Sequence, residues 1–383
     1  MRVDRADVVI VGAGIMGLSI AYNLARLSPH LRILVLEQSY LCSGASGRNG
    51  GGVRAQWSSP SNILLMQKSL ELFRQFAKEH SINTWLRQGG YLFLVRSQAA
   101  AETLAKNVEL QRELGLNSEL VLPNALGEIV PGLSSEGVAL ASYNPDDCVV
   151  FPWPFVWGYA RSAQQLGVQI ETFTEALALD TNAGAISGVM TNRGHIQADT
   201  VVLACGALSP RLARTVNVDL PTHPQRHEIC SSEPLKPWLT PLVADLSNGL
   251  YFSQSTRGEI VGGISSASAP TDGRQTSSWE FLARYSAALA KVFPRLGAVR
   301  ILRQWAGLYD ISPDHNPIVG SVDACPGLQL ASGFMGHGFM MAPAVGELVA
   351  RSIAGKESSE ILARWNLRRL KEGNLLSENM IIG

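Results

Sequence analysis

The chain has 383 residues, 46% of them hydrophobic and 17% charged, which excludes a disordered tail and suits two packed domains. Basic and acidic residues balance at 32 each, so no nucleic-acid partner is expected. Five scattered cysteines (Cys42, Cys148, Cys205, Cys230, Cys325) form no CxxC pair and read as free thiols of a reducing, cytoplasmic setting.

The first signal lies at the N-terminus. Val8 to Ala25 is uncharged over 18 positions, the length of a membrane span. Its glycines and its change of period exclude one: DVVIV has strand character and IMGLSIAYNLARL helix character. Asp4 and Asp7 do not fit the basic start of a secretory signal. The expectation is a soluble, unprocessed chain with no integral membrane segment.

Within that stretch, Gly12, Gly14 and Gly17 form GxGxxG between strand and helix, the geometry that puts a pyrophosphate on a helix N-terminus. Glu37 ends the next strand, 20 residues after Gly17, where a carboxylate can take a ribose diol and repels a 2′-phosphate. This unit alone does not separate NAD from FAD.

Residues 41–57, LCSGASGRNGGGVRAQW, are too glycine-rich for a regular element, and Arg48 and Arg54 are their only charges. After Ser58, Ser59 and Pro60 the period predicts a helix, with Ile63, Met66, Leu70, Phe73 and Phe76 on one face. DCVVFPWPFVW (147–157) is read as aromatic core at a domain junction. QADTVVLACGALS (197–209) is a buried strand entering a glycine turn at Gly206.

His223, His227 and Cys230 have ligand chemistry, but Pro221 and Pro224 break any helix that would align them; a solvated strand is expected there and no metal site. Asp310, Asp314 and His315 surround Pro313 and read as a turn. Near the C-terminus, ASGFMGHGFMMAPAVGE (331–347) places Gly333, Gly336 and Gly338 before a helix expected from about Pro343. Such glycines let backbone approach a flat ring, and the helix end favours negative charge there. His337 lies between them; hydrogen bonding to a loop carbonyl is as good a reading as catalysis. A chain that returns three times with ligand-facing glycine turns suits an extended ligand such as FAD.

VVIVGAGIMGLSIAYNLA, GASGRNGGGVR, ADTVVLACGALS, WAGLYDISPDHNPIVG and GFMGHGFMMAPAVGELVA together resemble the D-amino acid oxidase-like FAD oxidoreductases. Within them the chain is most similar to the sarcosine oxidase and dye-linked L-proline dehydrogenase β-subunit branch. The resemblance covers nearly the whole chain. It implies an α/β (α+β overall) fold: a discontinuous Rossmann-like FAD-binding domain over 1–86, 148–220 and 325–383, and a substrate domain with a mainly antiparallel sheet over 87–147 and 221–324. It implies oxidation of a small secondary amine or imino acid (sarcosine, an N-methyl amino acid or L-proline) by hydride transfer to flavin N5, giving an imine that hydrolyses. The chain would be free-standing or one subunit of a heteromeric dehydrogenase.

By the same resemblance Gly12, Gly14, Gly17, Glu37, Ser46, Arg48, Asn49, Gly206, Gly333, Gly336, His337 and Gly338 fall at FAD positions. Arg54 matches the arginine that binds a substrate carboxylate, and Tyr251 falls near an active-site tyrosine. Two places depart from the pattern. Gly307 stands where monomeric sarcosine oxidases carry a flavin-linked cysteine, so non-covalent FAD is expected. Met340 replaces a lysine of the carboxylate clamp. A non-enzymatic scaffold that retains FAD is the alternative; Arg54 favours an enzyme, because scaffolding gives no reason for a cation beside a flavin.

Overall fold

The computed structural model describes residues 4–356 and 359–382. Its first sheet is built on parallel strands. Arg5–Val11 pairs with Ile33–Leu36 on one side and Gly194–Leu203 on the other; Gln169–Glu171 and Leu328–Ser332 flank these. The antiparallel hairpin Ala176–Asn182 and Ala185–Thr191 joins one edge, and Ile318–Ser321 pairs antiparallel with Leu328–Ser332. The strand Ile318–Ser321 therefore lies in this sheet, although it falls within 221–324.

Both faces of the sheet are covered, so its strands are continuously apolar. Val8, Ile10, Ile33 and Val35 point into one core; Ala6, Val9, Val11, Leu34 and Leu36 point into the other. The uncharged N-terminal stretch is thus a strand followed by the helix Ile15–Leu27. Among the described residues no helix is long and apolar enough to cross a membrane.

The helix expected after Ser59 runs Pro60–Glu79, with Ile63, Met66, Leu70, Phe73 and Phe76 all buried. The helix expected from about Pro343 instead spans Gly338–Ile353 and carries Pro343 inside it. Proline is most at home in a first turn, but this helix is set by packing. It crosses Ile15–Leu27 so closely that a Cβ at Gly346 would stand 2.1 Å from Ser19 Oγ.

The second sheet has eight strands, ordered Ile301–Ile311, His223–Pro234, Glu259–Ile264, Leu250–Gln254, Leu242–Asp245, Tyr91–Val95, Leu140–Asn144 and Glu119–Val121. Every pairing is antiparallel except that of Tyr91–Val95 with Leu242–Asp245. A small third sheet, Gly52–Val53, Cys148–Val149 and Arg87–Gln88, ties the two together. Each glycine of 50–52 meets a different neighbour at this junction. A Cβ at Gly50 would lie 3.5 Å from Tyr251 Cε2, at Gly51 1.9 Å from Val150 O, and at Gly52 1.7 Å from Tyr91 Oη. In DCVVFPWPFVW, Val149, Val150, Phe155 and Val156 are core, while Trp157 is 45% exposed.

His80 ends Pro60–Glu79 among aromatic rings, its ring centroid 4.0 Å from that of Phe76 and 5.0 Å from that of Tyr159, with Nδ1 2.8 Å from Ser162 Oγ. Burial pulls its pKa down to about 4. The unfolded chain then binds a proton that the folded chain refuses between about pH 6.5 and 4. His80 thus contributes stability that is fully present above about pH 6.5 and lost as the pH falls toward 4. Denaturant melts at pH 7 and 5 should show a loss that His80→Gln reduces by about 1 kcal/mol, after discounting for partial solvent screening.

Candidate active site

A cleft of about 460 Å³ opens along the first sheet's C-terminal edge. That volume lies in the range of small-molecule sites. It runs from the N-terminal glycine turn past Thr174–Ala176 and Cys205–Leu212 to Gly307–Asp310 and the mouth of Gly338–Ile353. Of the expected cofactor residues it brings together Gly12, Gly14, Glu37, Ser46, Arg48, Asn49, Gly206, Gly307, Gly336 and Gly338. Gly17, Gly333 and His337 stand behind this wall, and so do Arg54, Tyr251 and Met340.

The glycine turn is constrained sterically. Gly12 has φ +108°, and a Cβ there would be 2.6 Å from Ala204 O; a Cβ at Gly17 would be 2.0 Å from Gly12 O. Glu37 accepts from Ala13 N at 3.1 Å and from Ser39 N at 2.9 Å, and Ser46 Oγ accepts from Ile15 N at 3.0 Å. These bonds lock the loop at the helix N-terminus, where its positive end faces the cleft. Arg48 is held by Ser43 O and Ala306 O, each at 3.0 Å, which puts its aliphatic stem beside Gly307. Asn49 braces its own turn, giving to Ser46 O at 2.7 Å and accepting from Gly51 N at 2.8 Å.

At the far end Gly333 and Gly336 have φ +75° and +81°. A Cβ at Gly336 would lie 2.4 Å from the Tyr309 ring. Asp310 takes Gly333 N at 2.5 Å, and burial raises its pKa. The pair Asp314–Arg369, at 2.8 Å and buried, is structural, which fits the turn reading of 310–315.

His227 corrects the expectation of a solvated strand. It is buried, lines the cleft and stacks on Tyr309 with centroids 4.5 Å apart. Its Nε2 is 3.0 Å from Tyr251 Oη. Burial lowers its pKa to about 4 and raises that of Tyr251 well above 10, so both are neutral near pH 7. Cys230, three residues on, lies in the apolar core, and no group of residues that could hold a metal occurs among those described. The described cysteines are all free thiols.

Behind the cleft mouth lies Arg54, 1% exposed. Its guanidinium donates to the carbonyls of Gln56 and Met380 and approaches His337 Nε2 at 3.4 Å. It stacks 4.0 Å from the Trp57 ring centroid. No carboxylate among the described residues lies within ion-pair distance of it. Asp147 is the buried acid of this neighbourhood, but it is used on backbone and amide: Ala55 N at 2.7 Å and Gln56 Nε2 at 3.0 Å. Burial pushes Asp147 up to about 7. His337 directs its ring at Arg54 and not at a loop carbonyl; burial first, then the nearby cation, holds it neutral. The Met340 side chain lies in a core that also holds Phe73 and Phe339, and its carbonyl accepts from Ser69 Oγ at 2.5 Å.

Thr174–Ala176 and His227 were not legible as cleft residues. The first depends on the parallel pairing that sets Gln169–Glu171 beside Ile33–Leu36, and the second on which face of a long strand turns inward. Tyr309 and Asp310 sit inside WAGLYDISPD, where the signal was available.

A glycine turn at a helix start, a following acidic residue, a long cleft and a second sheet closing its far end fit an extended dinucleotide and define a dinucleotide-binding protein. The family described as FAD dependent oxidoreductase matches residues 7–352. The chain belongs to that family, and FAD is its cofactor. It is 30% identical to the sarcosine oxidase subunit beta of Rhizobium meliloti, over 97% of this chain and 90% of that protein. It is 32% identical to the FAD-dependent oxidoreductase domain-containing protein 1 of Bos taurus, over 91% and 81%. The solved L-proline dehydrogenase from P. horikoshii superposes with a TM-score of 0.91 at 32% identity, covering 98% of this chain and 100% of that one.

Gly336→Ala would add both a disfavoured φ and a clash with Tyr309. It should destabilise the protein by about 1–3 kcal/mol. It should also reduce the gain in melting temperature that FAD gives, because the helix mouth moves. An unchanged FAD-dependent gain would separate this glycine from the cofactor.

Proposed function

We propose that the protein oxidises a small amine bearing a carboxylate, with a secondary amine or imino acid preferred, and that Arg54 grips the carboxylate. The observation that carries this is a fully buried guanidinium with no carboxylate within ion-pair distance among the described residues, joined to the cleft mouth through His337. Burying a cation without an anion is costly, and an anionic ligand offsets that cost. The relatives named sarcosine oxidase subunit beta and L-proline dehydrogenase, together with the solved glycine oxidase from Geobacillus kaustophilus, act by their names on molecules of this class.

Bound FAD supplies the two-electron acceptor. The Gly12–Gly14 turn and the helix after it would hold the pyrophosphate, Glu37 the ribose, and the mouth of Gly338–Ile353 the ring system. Arg54 sets position, since a guanidinium can hold a carboxylate by two parallel bonds and so fix which C–H faces the acceptor. Its scaffold is rigid: Ala55 and Gln56 are pinned on Asp147, and Trp57 O accepts from Gln111 Nε2 at 2.9 Å. His337 and His227 stay neutral, so neither opposes the charge of Arg54 nor draws the carboxylate away. Tyr251 keeps its proton, and its hydrogen bond with His227 Nε2 fixes its hydroxyl. Loss of hydride from the carbon beside a neutral amine nitrogen leaves an iminium, which gives up its N–H proton to water as the imine and is hydrolysed to a carbonyl compound and an amine. The likeness to proteins named as β subunits supports a further part of the proposal, that the chain works beside partner subunits.

Gly307 offers no thiol, so acid precipitation should release yellow colour into the supernatant; colour retained in the pellet would overturn non-covalent binding. Arg54→Ala should keep its flavin and weaken binding of sarcosine or proline by roughly ten-fold or more, the loss of one charge-assisted bond or more. Arg54→Lys should be intermediate. Anaerobic rapid mixing over a range of amino acid concentrations checks this. Flavin bleaching by alkylamines but not by their carboxylated analogues would reject the substrate class.

A further inference from the structure

The segment 375–382 crosses from the far end of the chain to the arginine pocket. Glu378 is its anchor. One carboxylate oxygen accepts from Ser58 N at 2.9 Å and from Ser58 Oγ, and the other from Ser59 Oγ at 3.2 Å and Asn62 Nδ2 at 2.9 Å. These groups form the start of Pro60–Glu79, whose own N-cap Ser59 makes no side-chain cap bond. Glu378 therefore serves as an anionic cap supplied from elsewhere in the chain. The next residue, Asn379, gives its N–H to Ser58 Oγ at 2.9 Å and accepts from Asn107 Nδ2 at 2.8 Å.

Two residues beyond the anchor, Met380 is 0% exposed and packs with Tyr91 and Phe93, with Tyr251 against the same cluster. Its carbonyl oxygen accepts from Arg54 Nη2. The residue thus presents to Arg54 an oxygen acceptor and, behind it, an apolar side chain among aromatic rings. An amino acid held by its carboxylate would present the same pair of features. Nη2 has two N–H groups, one given to the Met380 carbonyl and the other turned toward His337 Nε2, so a carboxylate that uses Nη2 must take the place of the Met380 carbonyl.

We propose that segment 375–382 is an autoinhibitory latch: Met380 stands in for the substrate on Arg54, and Glu378 sets how often the latch opens. This rests on the reading of Arg54 as the carboxylate site. The carbonyl is a weaker acceptor than a carboxylate, so a carboxylate displaces it. The closed latch excludes water from the guanidinium between turnovers. Apparent affinity is the intrinsic affinity reduced by the open fraction, so any change that loosens the anchor tightens apparent binding.

The test uses the FAD-loaded full chain with acetate, which carries a carboxylate and no oxidisable amine; acetamide is the uncharged control. In the unaltered protein, hydrogen exchange of 375–382 should rise with acetate and not with acetamide. Glu378→Ala should bind acetate about five-fold more tightly, with Trp57, the ring on Arg54, among the fluorescence reporters. It should also lower the sarcosine or proline concentration needed for half-maximal flavin reduction, with the limiting rate unchanged. Arg54→Ala,Glu378→Ala should lose the gain. Should Glu378→Ala fold poorly, Asn107→Ala loosens the same segment and should shift affinity in the same direction. Acetate binding that needs Arg54 but is unaffected by Glu378→Ala, with exchange of 375–382 unmoved, overturns the latch and leaves the substrate reading intact. Acetate binding that is indifferent to Arg54→Ala overturns both.

Discussion

A buried guanidinium with no carboxylate within ion-pair distance among the described residues is the constraint around which the junction of the two sheets is arranged. An isolated cation in a protein interior is too costly to leave unsolvated, so its donors must be met by oxygen and its face by π-electrons. Both occur: Gln56 and Met380 give carbonyls, and Trp57 gives its ring. Each of these groups is itself fixed. Gln56 is clasped by Asp147, by Tyr91 O at 3.1 Å and by Ser142 Oγ at 2.8 Å, which belong to the second sheet and its edge. The charge is thus solvated by carbonyls held in a polar network that reaches into the second sheet. That network depends on the close approach of the 50–57 segment to the second sheet, which Gly50 and Gly52 permit at Tyr251 and Tyr91.

Asp147 shows how the charge stays available. An aspartate placed against Arg54 would satisfy it and leave no place for the anionic ligand proposed above. Here the carboxylate is turned onto Ala55 N, Asn144 Nδ2 and Gln56 Nε2. Burial raises its pKa to about 7, with these bonds and Arg54 lowering it. It braces the backbone that carries Arg54 without neutralising the guanidinium. The histidines follow the same logic, since imidazoles that will not protonate add no rival cation.

Much of the fold was legible because its signals are local. The GxGxxG turn, the acidic strand end and the one-faced helix after Ser59 are each set by residues within a few turns of one another. The last long helix starts at Gly338, five residues before the place that the local preference of Pro343 for a first turn assigns it. The contact that decides, Gly346 against Ser19, joins residues far apart in sequence. His227 was missed for a related reason. Strand alternation shows that a histidine faces one side, but not that this side is a cleft wall shared with Tyr309. The direct bond between Arg54 and His337 likewise joins two residues singled out separately, and only the tertiary structure relates them.

The role of glycine also shifts once the structure is considered. In sequence, Gly336 reads as a place where backbone meets a ligand. In the fold its side is filled by Tyr309, which stacks on His227, which in turn bonds to Tyr251, the residue facing Gly50. Glycines in two distant loops are therefore the end points of one aromatic stack that spans the junction between the sheets. A side chain at either end would push the stack, and the stack forms part of the cleft wall. The glycine pattern that signals a cofactor site in this chain is thus in part a packing requirement of the residues that border that site. The two readings coincide because a cleft closed by a second sheet needs backbone close to rings from both sides.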